Sequence, residues 1–324
     1  MNKFNEPSRW LAGFACLLTM AFCATASAQQ YPNRPVNIIV PFPAGAGSDL
    51  FTRTLAVELG AALGQPVIVQ NKPGGNTAIG VGAVTSAPPD GYTLLMATAS
   101  TVALPAMNKG LPFNIRTDLT PIAQLTDFVL YLYSNAELPV KTFPELVAYG
   151  KANPGKLNYA TGNATGVVSS VQLASMAKLD MVGVPYKGEP AAVTDLIANR
   201  IQVMFSSPSS AESFARQGKL NVLATTLPQR SPYAPGVPTV KEYLPNFNTS
   251  GWGGLMGPAN LPQPIVNRLA AEMKKILQKP EVQKKLENMQ MIAHYATPEQ
   301  FAAFYSEQAE LYSRVLREAG VVPD

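Results

Sequence analysis

The chain has 324 residues, 47% of them hydrophobic and 14% charged, with a formal net charge of +4. That length and apolar content suit about two domains with full-sized cores, and the scattered lysines and arginines form no basic footprint for nucleic acid. Cys16 and Cys23 are the only cysteines and His294 the only histidine, so past residue 28 there is no thiol nucleophile or thiolate metal ligand, and a Ser-His-Asp triad or a His-containing zinc site would need His294.

Residues 1–28 read as an export signal. Lys3 and Arg9 precede an uncharged stretch over 10–28 whose apolar centre spans 11–23. Ala26-Ser27-Ala28 supplies the small-x-small pattern of a cleavage site, placing the cut after Ala28. An uncleaved anchor and acylation at Cys23 are the alternatives. The small polar tail over 24–28 favours cleavage, and Met20-Ala21-Phe22 fits a lipoprotein signal poorly. No later stretch is apolar enough to span a bilayer, so the exported chain is expected to be soluble.

Past the signal, the apolar run at 38–40 ends in Pro41 and suits a buried parallel strand. A loop at 43–47 leads to a helix that Ser48 or Asp49 can cap. In it Phe51, Leu55, Leu59 and Leu63 share one face, and Gly64 ends it. The strand at 67–69 completes a βαβ unit. A small-residue helix at 77–86, the turn Pro88-Pro89-Asp90-Gly91 and a strand at 92–96 follow. A further run at 128–133 reads as a strand near a domain crossing.

The alternation restarts with strands at 157–160, 181–184, 203–205 and 220–224, separated by helices at 165–177, 191–199 and 210–217. This is a second α/β sheet. A proline-rich surface segment at 231–245 leads to a returning strand at 252–256 and to helices at 264–277, 281–289 and 298–318. His294 falls at 291–295, a short strand or a tail between two helices, which is a structural position. The fold class is α/β, with one lobe over 29–127, a second over 128–250, and a return strand with C-terminal helices over 251–324 packing mostly on the first.

Two loops, one per lobe, follow a strand and open a helix. The first holds Phe42, Pro43, Ala44, Gly45, Ala46, Gly47, Ser48 and Asp49; the second holds Thr161, Gly162, Asn163, Ala164, Thr165 and Gly166. A helix start leaves backbone N–H groups unpaired and carries partial positive charge, and glycine lets a ligand come close. Such a loop binds an anion without lysine or arginine, and neither loop contains one. Neither is a dinucleotide fingerprint or a P-loop. Thr98, Ser100, Thr101, Ser206, Ser207 and Ser209 are further polar groups at strand ends. Tyr186 and Trp252 are candidate walls of the cleft, Asp49 reads as a helix cap, and Lys72 and Lys187 as solvated turn residues.

These segments resemble the Bug family, the solute-binding receptors of tripartite tricarboxylate transporters. The matching stretches are Val40-Pro41-Phe42-Pro43-Ala44-Gly45, Leu63-Gly64-Gln65-Pro66-Val67, Asn71-Lys72-Pro73-Gly74-Gly75, Pro89-Asp90-Gly91-Tyr92-Thr93-Leu94-Leu95, Asn153-Pro154-Gly155-Lys156-Leu157-Asn158-Tyr159-Ala160, Val184-Pro185-Tyr186-Lys187-Gly188, Gly218-Lys219-Leu220 and Pro238-Thr239-Val240. The resemblance implies a two-lobed, type II-like periplasmic-binding-protein fold that closes on its ligand, no cofactor and no bond chemistry. It also implies a small carboxylate ligand (a dicarboxylate, a tricarboxylate or an aromatic acid), gripped by the two loops, and membrane transporter subunits as partners of a monomer. Many relatives have a histidine where Gly183 stands and in the second loop, and an acidic residue where Ser206 stands. These departures predict a less charged pocket and favour an apolar or aromatic acid. An envelope sensor acting on a membrane kinase is the alternative function.

Overall fold

A computed structural model describes residues 31–161, 164–186 and 188–318 of the protein. The export signal expected at 1–28, Gly162, Asn163 and Lys187 lie outside the described residues.

β1 (Val36–Val40) is apolar except at Asn37, because helices cover both of its faces. Val36, Ile38 and Val40 point to one side, where they meet Phe51, Leu55, Leu59 and Leu63 of α1 (Gly47–Leu63). Ile39 points to the other side, beside Val81 and Val84 of α2 (Ala78–Thr85). Burying each such side chain contributes about 1.5–3 kcal/mol. Gly64, with φ +68°, ends α1 in the left-handed conformation that glycine tolerates best.

The first sheet continues through β2 (Val67–Asn71), β3 (Thr93–Thr98), β4 (Leu119–Phe128), β10 (Gly251–Pro258) and β11 (Met291–Ala296), in the order β11-β4-β10-β3-β1-β2. On the α1 face lie α8 (Gln263–Leu277) and α9 (Pro280–Asn288). On the other face, with α2, lie α3 (Ala99–Met107) and α10 (Pro298–Glu318).

The second sheet has the order β7-β6-β8-β5-β9. Its strands are β5 (Tyr131–Asn135), β6 (Leu157–Thr161), β7 (Met181–Pro185), β8 (Val203–Ser206) and β9 (Leu220–Thr225). α4 (Phe143–Ala152) and α5 (Ala164–Ala177) cover one face. α6 (Glu189–Ile197) and α7 (Pro208–Arg216) cover the other. No helix among the described residues is long and apolar enough to cross a membrane.

The registers fix how the lobes face each other. β1, β2 and β3 are parallel, and β10 runs against β3 with Gly253 opposite Thr98. β4 runs against β10 with Phe128 opposite Gly251. The chain therefore leaves and re-enters the first sheet at the carboxyl end of its parallel strands. In the second sheet β6, β7 and β8 are parallel, and Tyr131 at the start of β5 pairs with Ser206 at the end of β8. Both crossings thus join carboxyl ends, the ends at which the helices that follow the parallel strands begin.

Both crossings are tied down by hydrogen bonds. Leu130 O accepts from Thr226 N–H at 3.0 Å and from Thr225 Oγ1 at 3.1 Å. Gln172 of α5 holds the return segment: its Oε1 accepts from Thr249 Oγ1 at 2.8 Å and Thr249 N–H at 3.2 Å, and its Nε2 donates to Asn248 Oδ1 at 2.7 Å.

Three elements go beyond the sequence reading. The predicted strand at 128–133 is two strands in two sheets, β4 ending at Phe128 and β5 starting at Tyr131. β4 lacks strict alternation and holds Pro121, and two bulges in its pairing with β10 accommodate the irregularity. α3 begins inside the polar stretch expected to be a strand end and carries Pro105. α4 has no counterpart among the expected elements; Thr142 caps it, its side chain accepting from Glu145 N–H. α1 starts at Gly47 with Ala46 as its cap residue, and neither Ser48 nor Asp49 caps it.

Replacing Gln172 by Met keeps volume but strands the fully buried Thr249 hydroxyl and N–H. An unsatisfied buried polar group costs about 1–3 kcal/mol. Urea unfolding of Gln172→Met should show a midpoint lowered accordingly, with an unchanged slope.

Candidate functional site

The first loop is built around a carboxylate. Ala46 N–H donates to Pro43 O at 3.2 Å, closing a turn whose third residue, Gly45, has φ +83°. That backbone position favours glycine. Asp49, in the first turn of α1 and 1% exposed, reaches back so that its Oδ2 accepts from Gly45 N–H at 2.8 Å. Arg53 Nε donates to both carboxylate oxygens at 3.0 and 3.1 Å, and Asn71 Nδ2 donates to Oδ1 at 2.9 Å. Asn71 Nδ2 also donates to Phe42 O at 3.0 Å. Burial works against ionisation of Asp49, but Gly45 N–H, Arg53 and Asn71 outweigh it and hold its pKa below the usual carboxylate range. Asp49 therefore braces the loop. Ala44 and Gly45 form its exposed tip, with Ala46 and Gly47 half-buried and Ser48 buried. The N–H groups of Gly47 and Ser48 have no acceptor among the described residues.

The second loop meets the first lobe. Thr165 and Gly166 are buried at the start of α5, and Ala164, Val167 and Val168 pack into the same cluster as Val102 of α3 and Tyr312 of α10. Burial pushes the Tyr312 phenol above its usual range, and the Thr165 hydroxyl beside it partly offsets this. Asn163 is outside the described residues, and for Thr161 only the backbone is described.

The start of α3 is capped internally: Ser100 N–H donates to Thr98 Oγ1 and Thr98 N–H to Thr101 Oγ1, each at 3.3 Å. Tyr186 is half-buried after β7, and its hydroxyl donates to Asp195 Oδ2 at 2.8 Å. Asp195 sits nearly two turns along α6, so this phenol turns away from the helix start. Trp252, expected on the ligand wall, is a core residue. β10 is a central strand covered on both faces, and the indole, 0% exposed, packs edge-on against Phe301, Phe304 and Tyr305 of α10 at 5.6–5.9 Å between ring centroids.

The sequence reading missed Glu189. Its Oε2 accepts from Ser207 Oγ at 2.7 Å, Ser206 Oγ at 2.8 Å and Ser207 N–H at 3.2 Å. The next helix thus brings a carboxylate to Ser206, where the strand end has no acidic residue of its own. The signal was available: Glu189 follows Gly188 and opens a helix just after a strand.

His294, on β11, is 46% exposed and holds Asp127 Oδ2 at 2.8 Å from its Nδ1. The bond to Asp127 raises its pKa. A groove of about 640 Å³ runs between α1 and edge strand β2, past Val57, Gly60, Gly64 and Val67, and contains none of the predicted site residues.

Asp49→Asn removes the charge that orders Gly45, Arg53 and Asn71, which should cost about 1–3 kcal/mol at pH 7. The folded carboxyl titrates below its unfolded value of about 3.9, so the ionised form stabilises the fold above that value and the contribution fades as pH falls below about 4. Unfolding midpoints of the protein and Asp49→Asn should differ at pH 7 and draw together as pH falls below about 4.

Comparison with known proteins agrees with this architecture. Residues 51–321 match the model of the tripartite tricarboxylate transporter family receptor. Protein BugT of Bordetella pertussis is 33% identical over 313 residues, covering 94% of this chain and 95% of that one. The structure is similar to that of the periplasmic binding protein BugD (TM-score 0.76, 28% identity, 91% of this chain and 100% of that one). It is also similar to MatC from Rhodopseudomonas palustris with bound malate (TM-score 0.75, 28% identity, 88% and 100%). The chain belongs to the tripartite tricarboxylate transporter receptor family, whose members are two-lobed periplasmic binding receptors and not enzymes.

Proposed function

We propose that the protein captures a small carboxylate in the cleft, in the periplasm, and presents it to the membrane subunits of a tripartite transporter. The observation that carries this reading is the joining of the two lobes at the carboxyl ends of their parallel strands, the ends at which α1 and α5 start. Neither loop contains a lysine or arginine, so the ligand's charge falls to backbone N–H groups, those of Gly47 and Ser48 among them, and to the Thr165 hydroxyl. Asp49 keeps the first loop ready for this, lowering the ordering cost of binding. Malate in MatC, a relative of the same fold, is consistent with such a ligand. Residues 1–28, cut after Ala28, direct export, and the protein acts as a monomer whose lobes close on the ligand.

A thermal-shift screen against mono-, di- and tricarboxylates, acidic amino acids and aromatic acids tests this. A ligand at about a hundred times its Kd adds about 2.7 kcal/mol of stability. Thr165→Val should weaken a hit about 2- to 12-fold, the value of one hydrogen bond of about 0.5–1.5 kcal/mol. Folded protein that shifts with no acid on the panel would defeat the reading.

A further inference from the structure

The bend between α9 and β11 reaches out of the first lobe to the second. α9 ends at Asn288, Met289 caps it, and Gln290 follows with φ +54°, a left-handed conformation. Its N–H donates to Glu287 O at 2.9 Å, which closes the helix end. Glycine, and sometimes asparagine, usually fills such a position, because a larger side chain strains the backbone there. Here it is a glutamine, and the side chain is used: its Nε2 donates to Glu212 Oε2 on α7 of the second lobe. Glu212 Oε1 accepts from Arg216 Nε and Nη2 at 3.1 and 2.6 Å, so the acceptor is held in place from its own helix.

The residues beside Gln290 extend the contact. Met291 O accepts from the Tyr233 hydroxyl at 3.3 Å. Tyr233 belongs to the return segment, whose Ala234 and Val237 pack on the second-lobe core, and Ile292 packs against that same core. The Met291 side chain instead joins the first-lobe core beneath α1, and a Cβ on Gly47 would lie 3.2 Å from its Cε. The bend thus links Gly47, at the start of α1, to a helix of the other lobe.

The lobes also touch through α5, whose Ala164, Val167 and Val168 are buried among α3 and α10. The two contacts use opposite faces of each sheet. They differ in what parts them. Opening the α5 contact would expose a continuous apolar core. The α7 contact rests mainly on two hydrogen bonds, and the one to the Glu212 carboxylate is the stronger kind. A hinge through the crossings therefore opens first on the α7 side.

We infer that Gln290 is a positioning residue for capture: its bond to Glu212 latches α7 of the second lobe to the first lobe, and so sets how widely the ligand-free cleft stands open. This rests on the receptor reading above, in which the lobes close on a ligand, but its test needs no ligand.

The chain has no cysteine past residue 28, so spin labels can be placed by Gln217→Cys after α7 and Lys284→Cys on α9, both exposed. Double electron–electron resonance on the ligand-free protein then reads the gap between the lobes. Gln290→Gly suits the left-handed backbone and removes only the side chain. It should raise the ratio of open to closed molecules about tenfold or more, as loss of a hydrogen bond to a charged group implies, seen as growth of a longer distance. Glu212→Ala should do the same from the other lobe. The double variant should open no further than either alone, since the same bond is lost in all three. A role confined to the helix end would leave the distances unmoved in Gln290→Gly, with unchanged or raised thermal stability, and that result overturns the inference. So does one distance distribution shared by the unmodified protein and Glu212→Ala, which decides alone should Gln290→Gly fail to fold. The two readings fail separately: unmoved distances defeat the latch, whereas an acid panel without a hit defeats the receptor reading and leaves the measured latch in place.

Discussion

The chain crosses between its two sheets only at the carboxyl ends of their parallel strands, and everything at the site depends on that constraint. A parallel strand is followed by a helix that begins at its carboxyl end. Joining the two sheets by those ends aims every such helix start at one space. In each sheet the strand that has just arrived from the other lobe, β5 or β10, runs antiparallel to both of its neighbours. The return crossing needs 25 residues (226–250) to reach β10, and Gln172 holds its last turn against α5.

Two internal carboxylates shape what those helix starts can do. Asp49 and Glu189 each belong to the first turn of a helix, where the helix field favours negative charge. Each spends its oxygens on backbone N–H and side-chain donors of a neighbouring loop. Asp49 turns backward, toward Gly45 and Asn71, and so fixes the shape of the first loop while leaving its tip open. Glu189 turns sideways, toward Ser206 and Ser207, and so occupies the next helix start. An acidic side chain in the first turn of a helix thus braces a loop in one lobe and ties two helix starts together in the other. The difference lies in which donors the neighbouring strand end supplies.

Much of the architecture was legible in the residues. The alternation of Val36, Ile38 and Val40 with Ile39, and the stripe of Phe51, Leu55, Leu59 and Leu63, state which faces are buried before any partner is known. The strand–loop–helix order states where an anion can sit. What escaped was decided by neighbours. β4 has no clean period because its register with β10 is bulged, and the start of α3 reads as a polar strand end because its threonines are busy capping. Trp252 looked like a wall because Gly251, Gly253 and Gly254 surround it. Those glycines instead serve close packing: a Cβ on Gly254 would collide with the Phe301 ring and lie 2.9 Å from Ala123 O.

The sequence alone determined the local elements, the order in which they occur, the chemistry of two loops without basic residues, and the lack of any thiol past residue 28. These follow from periodicity, capping and composition, which act over a few residues. Only the tertiary structure decided which strand ends the two crossings join, that Trp252 is core, and that Glu189 reaches Ser206 and Ser207. Each of those depends on sheet order and register, which bring together groups as distant as Gln172 and Thr249, 77 residues apart. A local pattern holds no information about such partners, because a side chain's role is set by the donors and rings that the folded chain delivers to it.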